Sequence, residues 1–383
     1  MTPAARIAAA ITILDRILAG EPAEPALLRW SRASRFAGSG DRAAVRDLVF
    51  DSLRRLRSRA ALGGAMTGRG VMLGLCREEG LDPAALFTGE GHAPATPSPA
   101  ELGAGRMPYA AEALDLPDWL LPLWRASLGA EAEPVALAMR DRAPVWLRVN
   151  LRRAGPAEAI AALARDGIEV QRHETLTTAL RATGGARKLA SARAYREGLV
   201  ELQDLSPQLA CAALPARGSL LDFCAGGGGK ALALAAQGAG PVTAHDIDPR
   251  RMADLPERAR RAGVQVGIAS PGQVSGRFDL VLADVPCSGS GTWRRSPDAK
   301  WRLAAADLDR LLQLQAGILD RAAGFVAAGG HLAYMTCSLL EPENGAQVAA
   351  FLARSPAFEP VAQQRFTPLS ASDGFFLALM RRR

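Results

Sequence analysis

Lysine is nearly missing from this 383-residue chain: Lys188, Lys230 and Lys300 are the only three, so arginine supplies 43 of the 46 basic residues. With 39 acidic residues the formal net charge is +7. Arginine suits bidentate phosphate contacts and stacking on bases. An arginine- and alanine-rich composition gives the same excess with no such partner, so charge alone makes nucleic acid only a candidate. Cysteine is also sparse. Cys76, Cys211, Cys224, Cys287 and Cys337 are odd in number, widely spaced and form no CxxC. That gives little support to a disulfide framework or a zinc site, and it fits a reducing compartment. No apolar run approaches the eighteen residues of a membrane span. The start, Met1 to Arg6, lacks a secretory signal, so a cytoplasmic location is expected. The remaining composition, 49% hydrophobic and 22% charged, is that of a folded chain of two or three domains.

Residues 1–130 read as a helical domain. Ile7, Ile11, Leu14, Ile17 and Leu18 recur at three and four residues, and Val45, Leu48, Val49, Leu53 and Leu56 stripe a second helix over 41–57. The run Arg54-Arg55-Leu-Arg57-Ser-Arg59 reads as a solvated face or as a basic edge for RNA. Residues 88–112, rich in proline and glycine, read as a linker, and Trp119, Leu120 and Trp124 as part of a packed helix. Over 131–204 the period changes. Strands are expected at Val145–Val149, Ile168–Val170 and Ala179–Ala182, with a helix between Pro156 and Asp166. Over 205–383 short apolar runs alternate with helical patterns. Strands are expected at Leu220–Cys224, Val242–Ile247, Val264–Ala269, Phe278–Val285 and His331–Ser338, and an edge strand at Phe375–Met380. This is the pattern of an α/β fold with a parallel, doubly wound sheet.

Four stretches carry chemistry. Leu221-Asp-Phe-Cys224-Ala225-Gly226-Gly227-Gly228-Gly229-Lys230 runs a strand into a glycine turn and a helix, a place where backbone and ligand approach closely. Ala231 after Lys230 breaks the phosphate-loop pattern. Asp246, about twenty residues further on at a strand end, is placed for ribose hydroxyls, and Asp248 for capping the helix near Pro249. His245 reads as a surface or loop residue. Asp284-Val-Pro-Cys287-Ser-Gly and Thr336-Cys337-Ser end two further strands, where open α/β sheets bind ligands. Two thiols and an acid beside a cofactor suit methylation of cytosine carbon 5. A thiolate adding to carbon 6 makes carbon 5 nucleophilic, and a carboxyl group on the pyrimidine edge helps carry the charge. A thiol with an ordinary pKa needs nearby positive charge, which Lys230 can supply.

These motifs resemble the Sun/RsmB family of RNA (cytosine-5) methyltransferases. The matching elements are Asp222-x-Cys-Ala…Gly228-Gly229-Lys230, Asp284-x-Pro-Cys287-Ser-Gly, Arg294-Arg-x-Pro-Asp298…Trp301 and Thr336-Cys337-Ser-Leu…Glu343-Asn344. Arg148-Val-Asn150, Gln203-Asp204 and Asp373-Gly-Phe-Phe376 match as well. The match covers residues 140–383, and the helical start more loosely resembles a NusB-like domain. The resemblance implies a Rossmann-like class I methyltransferase domain over 205–383, a small α+β RNA-binding unit over 131–204 and an all-α domain over 1–130. It implies S-adenosylmethionine held by Cys224–Lys230, Asp246 and Asp284. Cys337 would be the nucleophile, Cys287 the thiol that assists product release, and Asp284 a contact to the target cytosine. Ribosomal RNA is the expected partner, transfer RNA the alternative, with no membrane and a monomeric protein.

Two departures stand out. Gly226-Gly227 replace the family's Ala-Pro, and Ala269-Ser-Pro-Gly-Gln273 lacks the acid usual after the third strand toward the adenine, so either Ser270 or Gln273 substitutes or that contact is lost. They motivate a rival reading as a non-catalytic RNA-binding scaffold. A DNA cytosine methyltransferase would instead use Cys287 as nucleophile. A nicotinamide dehydrogenase would share the glycine turn and Asp246 but leave both cysteines unexplained.

Overall fold

Thr2 opens the first helix. Its hydroxyl accepts the Ala5 N–H and Pro3 occupies the first helical position. The computed structural model describes residues 1–383. Five helices follow one another: Pro3–Leu18, Ala23–Ala33, Ser39–Arg54, Leu56–Gly63 and Gly68–Glu78. The apolar stripes meet in one core that includes Ile13, Leu14, Val45, Val49, Leu53 and Met72. The last two helices cross with backbones in contact: a Cβ on Gly74 would lie 1.9 Å from the Arg59 carbonyl oxygen, so only glycine fits there. Between 88 and 112 the chain is irregular except for the short helices Pro99–Gly103 and Ala110–Ala113. Trp124 lies fully buried in helix Leu121–Leu128 and donates its indole N–H to the Ala132 carbonyl.

The arginine run is neither a solvated face nor a free basic edge. Arg59 is wholly buried and bonds Asp51, Glu78 and Ser52. Arg54 is buried and donates to the Arg294 carbonyl, while Arg57 pairs with Asp118 and Arg55 with Asp51. Burying a guanidinium without partners is costly, and local carboxylates supply them.

The chain forms two compact units rather than three consecutive ones. One comprises Met1–Arg142 together with Thr292–Ala305, the other Ala143–Gly291 and Ala306–Arg383. The excursion 292–305 is anchored in the helical unit. Trp293 stacks on Trp124 at 6.1 Å, Trp301 donates to the Leu53 carbonyl, and Asp298 accepts the Ala23 N–H.

The second unit contains two sheets. Strands β1 (Val145–Val149), β2 (Glu169–Arg172), β3 (Ala179–Gly184) and β4 (Val200–Leu202) form an antiparallel sheet in the order β2-β3-β1-β4. Helix Pro156–Arg165 packs over it through Ala159, Ala162 and Leu163. The larger sheet comprises β5 (Leu220–Asp222), β6 (Val242–His245), β7 (Gly267–Ala269), β8 (Phe278–Asp284), β9 (Val326–Thr336), β10 (Phe358–Phe366) and β11 (Phe375–Arg382), in the order β10-β11-β9-β8-β5-β6-β7. The five central and β7-side strands are parallel; β11 runs antiparallel to β9 and to β10. Leu220, Leu280 and Leu282 enter the core on one face, and Leu221, Val281 and Ala283 the core on the other. Helices cover both faces, which is why these strands read as unbroken apolar runs. The order reverses between β5 and β8, and the crevice at such a switch point is where open sheets bind ligands.

Three expectations need correction. The tail strand is not an edge: β11 lies inside the sheet, and the edge is β10, whose mostly exposed Glu-Pro-Val-Ala-Gln-Gln-Arg carries no alternating pattern. β9 begins at Val326, earlier than expected, through two glycines that obscure it. His245 is buried at the end of β6, stacked on Phe223 at 4.8 Å, with Nδ1 2.8 Å from the Phe223 carbonyl oxygen. No helix is long and apolar enough to cross a membrane.

Candidate active site

The ends of β5, β6, β8 and β9 bring the candidate residues to one side of the sheet. After β5 the chain turns through Phe223 to Gly228 into helix Gly229–Gln237. Gly228 has φ of +76°, and a Cβ there would lie 2.3 Å from Leu255 Cδ1, so backbone conformation and space both require glycine. At Gly226 and Gly227 a Cβ would meet only the tips of Arg251 and Arg258, and at Gly229 nothing within 4 Å. The turn is therefore open to a ligand that approaches its backbone. Ala225 is held to it by its N–H, which donates to the His245 carbonyl. Cys224 is half-buried, and burial pushes its thiol up to about 12. That thiol is a packing group at neutral pH.

Asp246 directly follows β6 and is almost fully buried. Its carboxylate accepts the Gly226 N–H at 2.9 Å and the Asp248 N–H at 3.0 Å, and Arg251 approaches it at 3.2 Å. It thus fixes the glycine turn. Asp248 caps the short helix Pro249–Met252, as its position indicates. Ser270 and Gln273 both stand exposed beyond β7.

Asp284 ends β8. Lys230, reaching from the start of helix Gly229–Gln237, holds it at 2.5 Å. Burial opposes the ammonium charge, but Asp284 outweighs it and keeps Lys230 protonated above the usual lysine range. Asp222 lies beside this pair, fully buried, with both carboxylate oxygens lacking a hydrogen-bond partner. Burial pushes its pKa up to about 7, against the pull of Lys230.

Beyond Asp284, Cys287 meets Cys337 from the end of β9, with the two sulfurs 3.3 Å apart. The chain beside them is tied by the Gly291 N–H, which donates to the Cys337 carbonyl at 2.9 Å. The contact differentiates the thiols. A hydrogen bond from Cys287 holds Cys337 below its ordinary thiol range despite burial; Lys230 assists, while Asp284 and Glu343 oppose. The same contact, with burial, holds Cys287 well above that range. Cys76 and Cys211 are buried in hydrophobic cores.

Several motif residues serve the frame. Asn150 donates to the Gly198 and Ala262 carbonyls, joining the small sheet to helix Leu255–Ala262. Asp204 caps helix Leu205–Ala212 and accepts from Ser372 and from the Asp373 N–H. Arg294, Asp298 and Trp301 anchor the excursion described above and belong to the helical unit. Sequence reasoning named Glu343 and the two serines only as motif matches; it missed that they meet, with Gln315, in one buried set. The available signal was that each site cysteine is followed directly by serine.

A family model described as "16S rRNA methyltransferase RsmB/F" matches residues 212–381, and one for the RsmF/B-like ferredoxin-like domain matches residues 116–186. Curated relatives include "Ribosomal RNA small subunit methyltransferase B" of Xanthomonas campestris pv. campestris, 35% identical over 71% of this chain and 68% of that protein. The protein of the same name in Klebsiella pneumoniae subsp. pneumoniae is 37% identical over 70% of this chain and 66% of that protein. The match therefore spans about two thirds of the length of such relatives. Among solved structures, PH0851 superposes with a TM-score of 0.77 at 23% identity, over 100% of this chain and 99% of that one. A methyltransferase homologue from Pyrococcus horikoshii gives 0.62 at 22% identity, over 71% and 97%. At these identities the two structures show a shared fold.

Proposed function

The chain belongs to the RsmB/F family of methyltransferases, and from that premise we propose that it is an RNA (cytosine-5) methyltransferase acting on ribosomal RNA with S-adenosylmethionine as methyl donor. The observation that carries the reading is the pair of unlike thiols, 3.3 Å apart at the ends of two parallel strands, beside the Asp284–Lys230 pair.

S-adenosylmethionine supplies an electrophilic methyl group. The residues that would hold it are the open turn Cys224–Lys230, with Asp246 and Asp284 at the neighbouring strand ends. The protein supplies the nucleophile. Cys337, eased toward thiolate by the Cys287 S–H, adds to cytosine carbon 6, and the ring electrons shift to carbon 5. Asp284 faces the pyrimidine edge, and Lys230 fixes its orientation. After transfer, the carbon 5 proton leaves to a base and the Cys337–carbon 6 bond breaks, so the thiol returns and the aromatic ring re-forms. Cys287, the adjacent thiol, assists this second half. A base inside a helix cannot reach a thiol at a strand end, so the target cytosine is unpaired or flipped.

The test is to incubate the purified protein with methyl-labelled S-adenosylmethionine and total RNA from a strain lacking the gene. Label at carbon 5 of one cytosine in small-subunit ribosomal RNA is expected. Label confined to transfer RNA would move the substrate. No label on naked RNA or on ribosomal subunits, with folded protein, would overturn the reading in favour of an RNA-binding scaffold. Separate Cys337→Ala and Cys287→Ala variants distinguish the DNA-type chemistry, in which Cys287 would form the adduct.

A further inference from the structure

Glu343 is completely buried, yet no cation bonds it. One carboxylate oxygen accepts the Ser288 N–H at 2.8 Å and the Gln315 amide at 2.9 Å. The other accepts the Ser288 and Ser338 hydroxyls, each at 2.5 Å. Ser288 follows Cys287 and Ser338 follows Cys337. One side chain therefore bonds the residue after each thiol.

The residues before the thiols are held by the same cluster. Gln315, which donates to Glu343, also donates to the Pro286 carbonyl at 3.0 Å. Asn344, next in sequence to Glu343, accepts the Thr336 hydroxyl at 2.6 Å and donates to the Ser338 carbonyl at 3.0 Å. The Glu343 carbonyl accepts the Tyr334 hydroxyl at 2.7 Å, tying the cluster to the body of β9. Each cysteine is thus bracketed on both sides by bonds that converge on residues 315, 343 and 344.

A carboxylate in this position does not come free of cost. Four neutral donors offset only part of the penalty for removing an ion from water, and apolar packing of the same volume would often be more stable. Its negative charge also disfavours a thiolate at either cysteine, so it does not serve to activate one. What the arrangement does supply is position. A carboxylate accepts several bonds at defined angles and so can join two loops through their side chains, beside the Gly291–Cys337 backbone bond. Reacting groups lose much of their rate when displaced by about 1 Å.

We propose that Glu343 is a positioning residue: it clamps Ser288 to Ser338 and thereby holds the Cys287 and Cys337 sulfurs in contact for the two halves of the reaction. The inference rests on the reading of these two cysteines as the reacting thiols, but its test does not depend on methylation.

Proximity is measured by equilibrating the full-length protein in glutathione buffers and quantifying the Cys287–Cys337 disulfide by mass spectrometry. Two protein thiols and one glutathione disulfide give one protein disulfide and two glutathiones, so the equilibrium constant reports the effective concentration of one thiol at the other. Glu343→Ala is expected to lower that constant at least tenfold. The Ser288→Ala/Ser338→Ala double variant, which keeps the carboxylate but removes both hydroxyls, provides the same measurement if Glu343→Ala fails to fold. In methylation assays either folded variant should lose at least tenfold in kcat, with KM for RNA changed less than threefold. Wild-type disulfide equilibria and kcat in both folded variants would overturn the proposal. If the wild-type protein methylated no cytosine while the disulfide constant still fell, the functional reading would fail and the clamp would stand.

Discussion

The two site cysteines are the same residue type at equivalent strand ends, and their difference comes from one contact. That contact and burial hold the Cys287 thiol protonated, while the contact, assisted by the Lys230 charge, holds Cys337 low. On the proposed reading, an alanine at 337 removes the attacking sulfur, and an alanine at 287 removes the group that helps undo the adduct. Cys337→Ala is expected to give no covalent complex with RNA on denaturing gels. Cys287→Ala is expected to accumulate one, with turnover down at least about a hundredfold. An adduct in the first variant and none in the second would reverse the assignment.

Asp222 gives a second prediction at this scale. Its folded-state pKa, about 7, lies above the ordinary carboxylate value of 3.8 because burial disfavours the charge. The sign follows from linkage. Below pH 3.8 the group is neutral folded and unfolded, and full stability is present. As pH rises toward 7 the unfolded chain ionises freely while the folded one resists, so stability is lost across that window. Asp222→Asn should therefore be more stable than wild type at pH 8, by up to about 4 kcal/mol at roughly 1.36 kcal/mol per pK unit. The advantage should shrink toward zero near pH 4. Denaturant unfolding at several pH values measures it; a constant difference would show that Asp222 is ionised throughout.

At the scale of elements, the excursion 292–305 departs most from what its sequence suggests. It follows the Cys287 strand end by a few residues, yet its side chains complete the helical unit. Trp293, 2% exposed and stacked on Trp124, is one of its anchors. Trp293→Ala should cost that unit about 3 kcal/mol, typical of removing a buried aromatic. It should also expose the buried Arg294 to trypsin. Unchanged stability with no new cleavage would show that the segment is held by its other bonds alone. A similar economy appears in the arginine run at 54–59, where charges that look available for RNA are committed to carboxylates and carbonyls of their own unit.

For the whole molecule, the net charge of +7 remains after those internal pairs are counted, because pairing leaves the excess of arginine unchanged. RNA affinity should therefore fall as salt rises, with a log–log slope of about −0.7 for each phosphate neutralised on a single strand. A loss of at least about tenfold between 50 and 200 mM salt is expected by fluorescence anisotropy, and a flat response would count against RNA as partner. Arg59→Ala should leave that affinity within about twofold while costing the helical unit about 2 kcal/mol through its unpaired carboxylates.

What the amino-acid order determined alone is whatever depends on neighbours in the chain. The helix stripes of the N-terminal section, the alternation of apolar runs with helices, the glycine turn and the cysteines at strand ends all follow from local periodicity and backbone freedom. That sufficed for the fold class and for singling out candidate residues. Only the tertiary structure decided which distant groups meet. It brought Cys287 within 3.3 Å of Cys337, set Lys230 on Asp284, left Asp222 without a partner and gathered the serines on Glu343. It also placed β11 inside the sheet behind the polar edge strand β10, and returned residues 292–305 to the helical unit. Such pairings leave no period in the sequence, because burial, charge and hydrogen bonding act between residues tens to hundreds of positions apart, and their strength is set by the shape of the surroundings.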